Sequence, residues 1–394
     1  MNFILFDDQS RKNLLPFTFV RPIADIRVGI LTIREKWEVY LNAKTSTLTD
    51  RYLSQKFPIV QDEINILING SVLPNKELVE QVINLQPNQV LVSDEIIIAM
   101  SITFKNLKKL NLDSDGKTES VYTEHLKVKI NNLFDIFIKN DEGIRDDFQL
   151  LTQNKSSIQI SSTNKIIGDN IFAEEGAKVE CATLNTTTGP IYIGKNAEIM
   201  EGSLIRGPFA ICNDSQIKMG AKIYGATTIG PFSKVGGEVN NSVIFGYSNK
   251  SHDGFLGNSV IGEWCNIGAD SNNSNLKNNY EEVKLWNYAT KRFELTGLQF
   301  CGLIMGDHSK CGINTMFNTG TVVGINASIF GAGFQRNFIP SFSWGGQSGY
   351  TTYDINKAVE VAKKVYKRRD MDFDKTEEDI LKHVFNMTLE YRYI

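Results

Sequence analysis

From Ile193 an aliphatic residue returns at every sixth position: Ile193, Ile199, Ile205, Ile211, Ile217, Ile223, Ile229 and Val235, with glycine directly after it at 194, 230 and 236. The cadence resumes at Phe255, Ile261 and Ile267, and a third run reads Met305, Cys311, Phe317, Val323 and Ile329. Ile167, Ala173 and Val179 open the series. A period of six fits neither the ~3.6-residue turn of an α-helix nor the two-residue alternation of a half-buried strand. It suits a parallel β-solenoid in which each hexad is one flat face. The aliphatic side chain points inward and stacks on its equivalent in the next coil, while Gly, Asn and Asp take the positive φ of the corners. Each coil then touches only its neighbours, and the stacked side chains form one continuous core.

The chain has 394 residues, enough for further domains beside this one. A net charge of -3 gives no long-range attraction to nucleic acid or anionic lipid. The opening "MNFILFDDQSR" carries acids where a signal peptide needs apolar length, and its apolar run is too short to span a bilayer. The five cysteines are odd in number and include no C-x-x-C pair, which predicts reduced thiols in a cytoplasmic protein. Neither nucleic acid nor membrane is expected as a partner.

The hexads resemble those of the hexapeptide-repeat acyltransferases over Lys165–Gly333, interrupted at Cys181–Pro190 and Ser271–Cys301. That resemblance implies a left-handed parallel β-helix with three hexads per coil, a homotrimer, and acyl-CoA in the groove between neighbouring chains. A second class with this repeat binds zinc through three histidines. Here His252 and His308 stand in the repeat without an H-x-x-x-x-H pair, so no zinc site is expected.

Residues 1–150 read differently. "INILING" followed by "NKELVEQVINL" is a strand and then a helix, and "ADIRVGILTIREKWEVYL" is a turn into an amphipathic helix. "VLVSDEIIIAM" adds a strand pair, so the pattern predicts an α/β domain with a mostly parallel sheet. The stretch "ILFDDQSRKNLLPFTFVRPIADIRVG" resembles the signature of the sugar nucleotidyltransferases. Arg11 falls at the signature arginine, Pro16-Phe17-Thr18 at P-L-T and Arg21-Pro22 at K-P. The resemblance implies that Arg11 and Arg21 meet nucleotide phosphates, with Asp7 or Asp8 as Mg²⁺ ligands at the mouth of the first strand. "FDDQSR" lacks the glycines that would cradle a triphosphate, and Ser71 stands near the place of a later metal-binding aspartate.

The expected order is a reduced nucleotidyltransferase-like α/β domain over 1–150, a polar linker over 151–165, a β-helix over 166–340 and a helical extension over 341–394. In the extension, Ile355, Ala358, Val359, Ala362 and Val365 share one helix face, with Asp354 as N-cap. The basic run Lys363–Arg369 reads first as a solvated helix face, and second as a contact for coenzyme phosphates.

The cadence falters between Val235 and Phe255, and the lapse holds His252. A break of this kind lets side chains leave the solenoid wall, and a histidine suits base catalysis of acyl transfer to an amine. "SHDGFLGNSVIGEWCNIGAD" resembles the acetyltransferase half of the bifunctional uridyltransferase/acetyltransferase family that makes UDP-N-acetylglucosamine. By that resemblance His252 is the catalytic base, Glu238 its orienting carboxylate, Asn266 a sugar contact and Ala269 a backbone contact of acetyl-CoA. Lys222 stands where the family has a phosphate-gripping arginine. Lys250 is a further candidate cation, and Lys284 or Lys277 of the insertion a candidate substrate lysine. Phe255 and Asn240 replace a tyrosine and a lysine of the family. His308 is the rival base.

The reading expected from these residues is acetyl transfer from acetyl-CoA to an amino-sugar 1-phosphate, foremost glucosamine 1-phosphate. Uridylyl transfer from UTP in the head would complete UDP-N-acetylglucosamine. Two other readings stand beside it: a nucleotidyltransferase with a structural β-helix, and a non-catalytic sugar-nucleotide scaffold.

Overall fold

The hexads close into a parallel β-solenoid in the computed structural model, which describes residues 1–103 and 119–393. Its three faces are sheets of stacked short strands. The first face runs in six strands from Lys165–Ile167 to Phe255–Gly257, and the second in nine from Ile171–Ala173 to Phe338–Ile339. The third runs in ten from Lys178–Val179, ending with Ser343–Gly346 and an antiparallel return, Gly349–Thr352. Every residue of the main cadence, Ile193 through Val235, is at most 2% exposed. Each such side chain contributes about 2 kcal/mol by leaving water, so the core is a column of small, equal increments.

Three details differ from the six-residue reading. The segment Cys181–Pro190 does not interrupt the solenoid, because Thr183–Asn185 pairs in parallel with strands on both sides. Leu256, not Phe255, is the inward residue, since it pairs with Val239, and at the open end of the column Ile166, not Ile167, holds the inward register beside Leu184 although it is 46% exposed. Between Val235 and Leu256 the chain does not leave the wall. Val239, Ile244 and Lys250 take the inward positions, with shortened corners between them.

The second face is covered by the helix Asn140–Thr152. Its Ile144, together with Ile30, packs on Phe172, Tyr192, Ala210 and Ala226. The Asn140 side chain bonds Gly29 N at 2.7 Å and Ala226 O at 2.9 Å. Just beyond this helix, Ile158 N bonds Ala173 O at 2.9 Å, and Ile158 and Ile160 pack against the solenoid core. The insertion Ser271–Cys301 holds an antiparallel hairpin, Lys284–Asn287 with Arg292–Leu295. At the C-terminal end, Asp354 caps the helix Ile355–Lys367, and Asp374 caps a second helix, Lys375–Met387.

By compactness the chain forms two units. One comprises Met1–Leu14, Val20–Ile26 and Leu31–Asn132; the other comprises Leu15–Phe19, Arg27–Ile30 and Leu133–Ile394. The first unit holds strands β1 (Asn2–Phe6), β2 (Thr45–Leu48), β3 (Ile64–Asn69), β4 (Gln89–Ser93), β5 (Ile96–Thr103) and β6 (Glu119–Tyr122), in the order β2-β1-β3-β5-β4-β6. Strands β2, β1 and β3 are mutually parallel, whereas β5 is antiparallel to β3 and β4. The sheet is therefore mixed, because a tight hairpin joins β4 to β5. The helix Ile33–Leu41 begins in a capping box of Thr32 and Glu35, as its sequence pattern requires. Among the described residues no helix is long and apolar enough to cross a membrane.

Candidate functional site

His252 lies in the turn Ser251–Gly254, at the corner where the third face passes to the first. Two close backbone approaches seat this turn. On one side is Gly237, at φ +72, where a Cβ would fall 2.8 Å from Asp253 Cα and 2.9 Å from His252 O. On the other, a Cβ on Gly254 would fall 2.2 Å from Ser271 O. Only glycine permits such approaches. Asp270 N also bonds Asp253 O at 3.0 Å, which layers the Ala269–Asp270 corner on the His252 turn.

The first face carries the neighbouring groups. Lys222, Glu238 and Phe255 are partners on successive rungs, so their side chains project side by side, about 4.8 Å apart. Glu238 N approaches Gly254 O at 3.4 Å, which brings the backbone of Glu238 to the His252 turn. The Glu238 carboxylate, however, accepts its hydrogen bond from the Tyr224 hydroxyl at 2.5 Å, and that bond pushes the Tyr224 pKa up to about 12. The His252 imidazole is exposed and makes no side-chain hydrogen bond with a described residue. Tyr224 was missed in the sequence. It sets a phenol beside Glu238, on a face where Phe255 has none.

Lys250 corrects its expected role. Paired with Val235, it occupies an inward rung of the aliphatic column and is 3% exposed. Its ammonium donates to His252 O at 2.6 Å, and burial lowers its pKa to about 8. It holds the carbonyl of the His252 turn from inside and is not open to a sugar phosphate. Asn266 stands on the third face between Asn249 and Lys310, a different face from Lys222 and Glu238. Lys284 begins the insertion hairpin and is exposed, and among the described residues its ammonium makes no hydrogen bond or ion pair with His252, Glu238 or Asn266. Lys277 donates to Glu282 O at 2.8 Å within the same insertion. His308, the rival base, is 6% exposed and stacks on Trp264 and Tyr366.

In the first unit Asp7 and Asp8 follow β1 directly, beyond its carboxyl end, where ligands of open α/β sheets collect. Arg11 is buried there, with Nε on Asp50 at 2.8 Å and Nη1 on Asp7 at 2.9 Å and on Arg21 O at 3.0 Å. Its Nη2 reaches the Tyr52 hydroxyl at 3.2 Å. Asp7 also accepts from Thr49 and from Ile23 N, yet burial raises its pKa. Asp8 pairs with Lys129 at 2.9 Å and accepts from Asn69 at 3.0 Å. Burial opposes its ionisation, but Ser10, Asn69 and Lys129 together hold its pKa below the ordinary value. Both carboxylates are thus engaged by protein donors, and among the described residues no cluster of three His, Cys, Asp or Glu could hold a metal. Mg²⁺ commonly takes one or two carboxylates together with substrate phosphates, and Asp7 and Asp8 are the acids that stand at this strand mouth. Asp50 and Tyr52 lie some forty residues after Arg11 and Lys129 is more distant still, and no motif announced them.

Residues 3–156 match the sequence model of the sugar nucleotidyl transferase family. The head is nucleotidyltransferase-like. The chain is 33% identical over 138 residues to the bifunctional protein GlmU of Methanocaldococcus jannaschii, covering 35% of this chain and 28% of that protein. It is 27% identical over 268 residues to a bifunctional sugar-1-phosphate nucleotidylyltransferase/acetyltransferase of Sulfurisphaera tokodaii, covering 66% of this chain and 63% of the relative. A match of that extent is longer than the head and takes in part of the solenoid. The chain thus spans less than two thirds of the length of these curated relatives. Among solved structures, a UDP-N-acetylglucosamine acyltransferase of Francisella novicida aligns at 13% identity over 57% of this chain and 90% of that one, with a TM-score of 0.31.

Proposed function

We propose that this chain transfers an acetyl group from acetyl-CoA to the amine of an amino-sugar 1-phosphate, with glucosamine 1-phosphate the first candidate. The observation that carries the reading is the seating of the His252 turn on the Gly237–Glu238 corner, with Lys222 one rung away. The name and extent of the Sulfurisphaera tokodaii relative support the same pairing of chemistries.

In this mechanism the amine attacks the thioester carbonyl and His252 takes the proton the nitrogen loses, since an imidazole near neutrality is well matched to that transfer. The C–N bond forms, the C–S bond breaks, and the departing thiolate takes the proton back from His252. Glu238 turns from the Tyr224 hydroxyl to the imidazole and fixes its tautomer. Lys222 faces the sugar phosphate, as a point charge without the fork of an arginine. Asn266 contacts the sugar and the Ala269 backbone the acyl donor, in a groove closed by the next copy of a homotrimer. The head would carry nucleotidyl transfer from UTP to the acetylated sugar 1-phosphate, a reading its family match supports.

The test is thiol release from acetyl-CoA with glucosamine 1-phosphate as acceptor. His252→Ala should lower the rate on the order of 10²–10⁴-fold with the fold intact. Turnover equal to wild type in that variant would remove His252 as the base.

A further inference from the structure

The third face holds a cleft of about 570 Å³ that the proposed acetyl transfer does not use, apart from Asn266. Its floor is a row of outward side chains in register, Lys234, Asn249, Asn266 and Lys310, one from each of four successive rungs. At about 4.8 Å per rung the row spans roughly 14 Å. Its rim is Arg368 and Arg369, directly after the helix Ile355–Lys367. No acidic residue is among those lining it.

Among the described residues the four cations are left without carboxylates. Among the described residues Lys234, Arg368 and Arg369 have no acidic partner, although the neighbouring helix positions do: Lys363 pairs with Glu378 and Lys364 with Glu360. Arg369 lies over the Tyr247 ring at 5.9 Å, and the Lys310 ammonium donates to His308 O at 2.9 Å. A helix C-terminus favours cations on its own account, but that does not explain Lys234 and Lys310, which stand on the solenoid. Gathering four like charges around one concavity costs free energy unless an anion joins them. The pKa values of Lys310 and Arg369 agree, both lowered by burial first and, for Arg369, by Arg368 as well.

The wall of the cleft is built of aromatic corners. Phe232, Tyr247, Trp264 and His308 occupy equivalent corners with φ between 52 and 62°, where other coils place Asn196, Asp214 and Asn326. Aromatic residues adopt this conformation at a cost of about 1 kcal/mol or more each, so their repetition marks a constrained feature. The rings stack in a column: Tyr247 on Trp264 at 4.3 Å and Trp264 on Tyr366 at 4.0 Å. Tyr366 thereby pins the tail helix, and with it the two arginines, over the lysine row. Since the ring faces are spent on one another, the column sets the geometry and the cations do the recognising.

The geometry points to this cleft as a binding site for a ligand carrying a diphosphate. Arg368 and Arg369 offer forked donors to phosphate oxygens, Lys234 and Lys310 point charges, and Asn249 and Asn266 neutral donors between them. The length of the row suits more than one anionic group. The diphosphate could belong to the acyl donor or to a nucleotide.

Pyrophosphate, CoA and UDP are titrated separately into the full chain by calorimetry, with Trp264 emission as a second signal. Pyrophosphate should bind, at least one of the other two should bind more tightly, and affinity should fall with added salt. Lys234→Ala, and separately the double variant Arg368→Ala with Arg369→Ala, should each weaken binding tenfold or more, whereas Lys195→Ala, an exposed lysine elsewhere on the solenoid, should not. Preference for CoA identifies the acyl donor as the source, and preference for UDP a nucleotide; either supports the site. Failure of all three to bind, or equal binding by the cleft variants, overturns it. Because binding is read without turnover, loss of the His252 mechanism leaves this result standing.

Discussion

At the scale of single residues, Lys250 departs most from its surroundings. An ammonium has replaced an aliphatic side chain in the inner column, with one carbonyl as partner. Its pKa, lowered by burial to about 8, ties stability to pH. Below pH 8 the folded and unfolded chains both hold the proton, and the penalty of a buried charge is present in full. Between about 8 and the ordinary lysine value near 10.4, the unfolded chain binds more protons than the folded one, so stability rises with pH by roughly 3 kcal/mol at most. Lys250→Met should remove this rise and be the more stable protein at pH 7. Urea midpoints of both proteins from pH 7 to 10 test this, and parallel curves would refute it. The sequence could not disclose the position. Lysine is rarely a core residue, and only pairing with Val235 places it inside. Phe255 misled for a related reason: two adjacent apolar residues, Phe255 and Leu256, each fit the cadence once the corners before them have shortened.

At the scale of elements, the tail helix is held by an aromatic contact rather than by its apolar stripe alone. Tyr366→Ala should cost about 3 kcal/mol, in line with emptying a large buried aromatic site, with the loss concentrated in the tail. Limited proteolysis between the two tail helices, around residues 368–374, should accelerate severalfold while cleavage of the solenoid does not. Protection equal to wild type would deny Tyr366 its anchoring role. The helix itself was legible from its spacing and its Asp354 cap. Its docking partner was not, because Tyr247 and Trp264 occupy corner positions where the repeat favours Gly, Asn or Asp. The basic run divides accordingly. Lys363 and Lys364 meet acids on the tail helices, as a solvated face would, whereas Arg368 and Arg369 line a cleft. The resemblance singled out His252 and Glu238, whereas the claim of Tyr224 on Glu238 was not legible, since it joins different coils.

At the scale of the whole molecule, the two proposed chemistries reside in different compact units and should fail separately. Arg11→Ala leaves Asp7 buried without its guanidinium and should destabilise the first unit by about 3–5 kcal/mol, the range for a broken buried pair, with thiol release unchanged. Pyrophosphate release from UTP and N-acetylglucosamine 1-phosphate should disappear in the same variant and survive in His252→Ala. Absence of that release in wild type, with thiol release intact, would reduce the head to a structural part. The shortened coil has a consequence of another kind, for how such a chain can change length over generations. Ile199, Ile217 and Val235 follow one another at eighteen-residue steps, but Lys250 comes fifteen after Val235. Gain or loss of one eighteen-residue block before Val235 would return every face to its place. The same edit across Val235–Ile267 would shift the corners and scatter His252, Asn266 and the ring column. That part of the gene is therefore closed to duplication in eighteen-residue blocks.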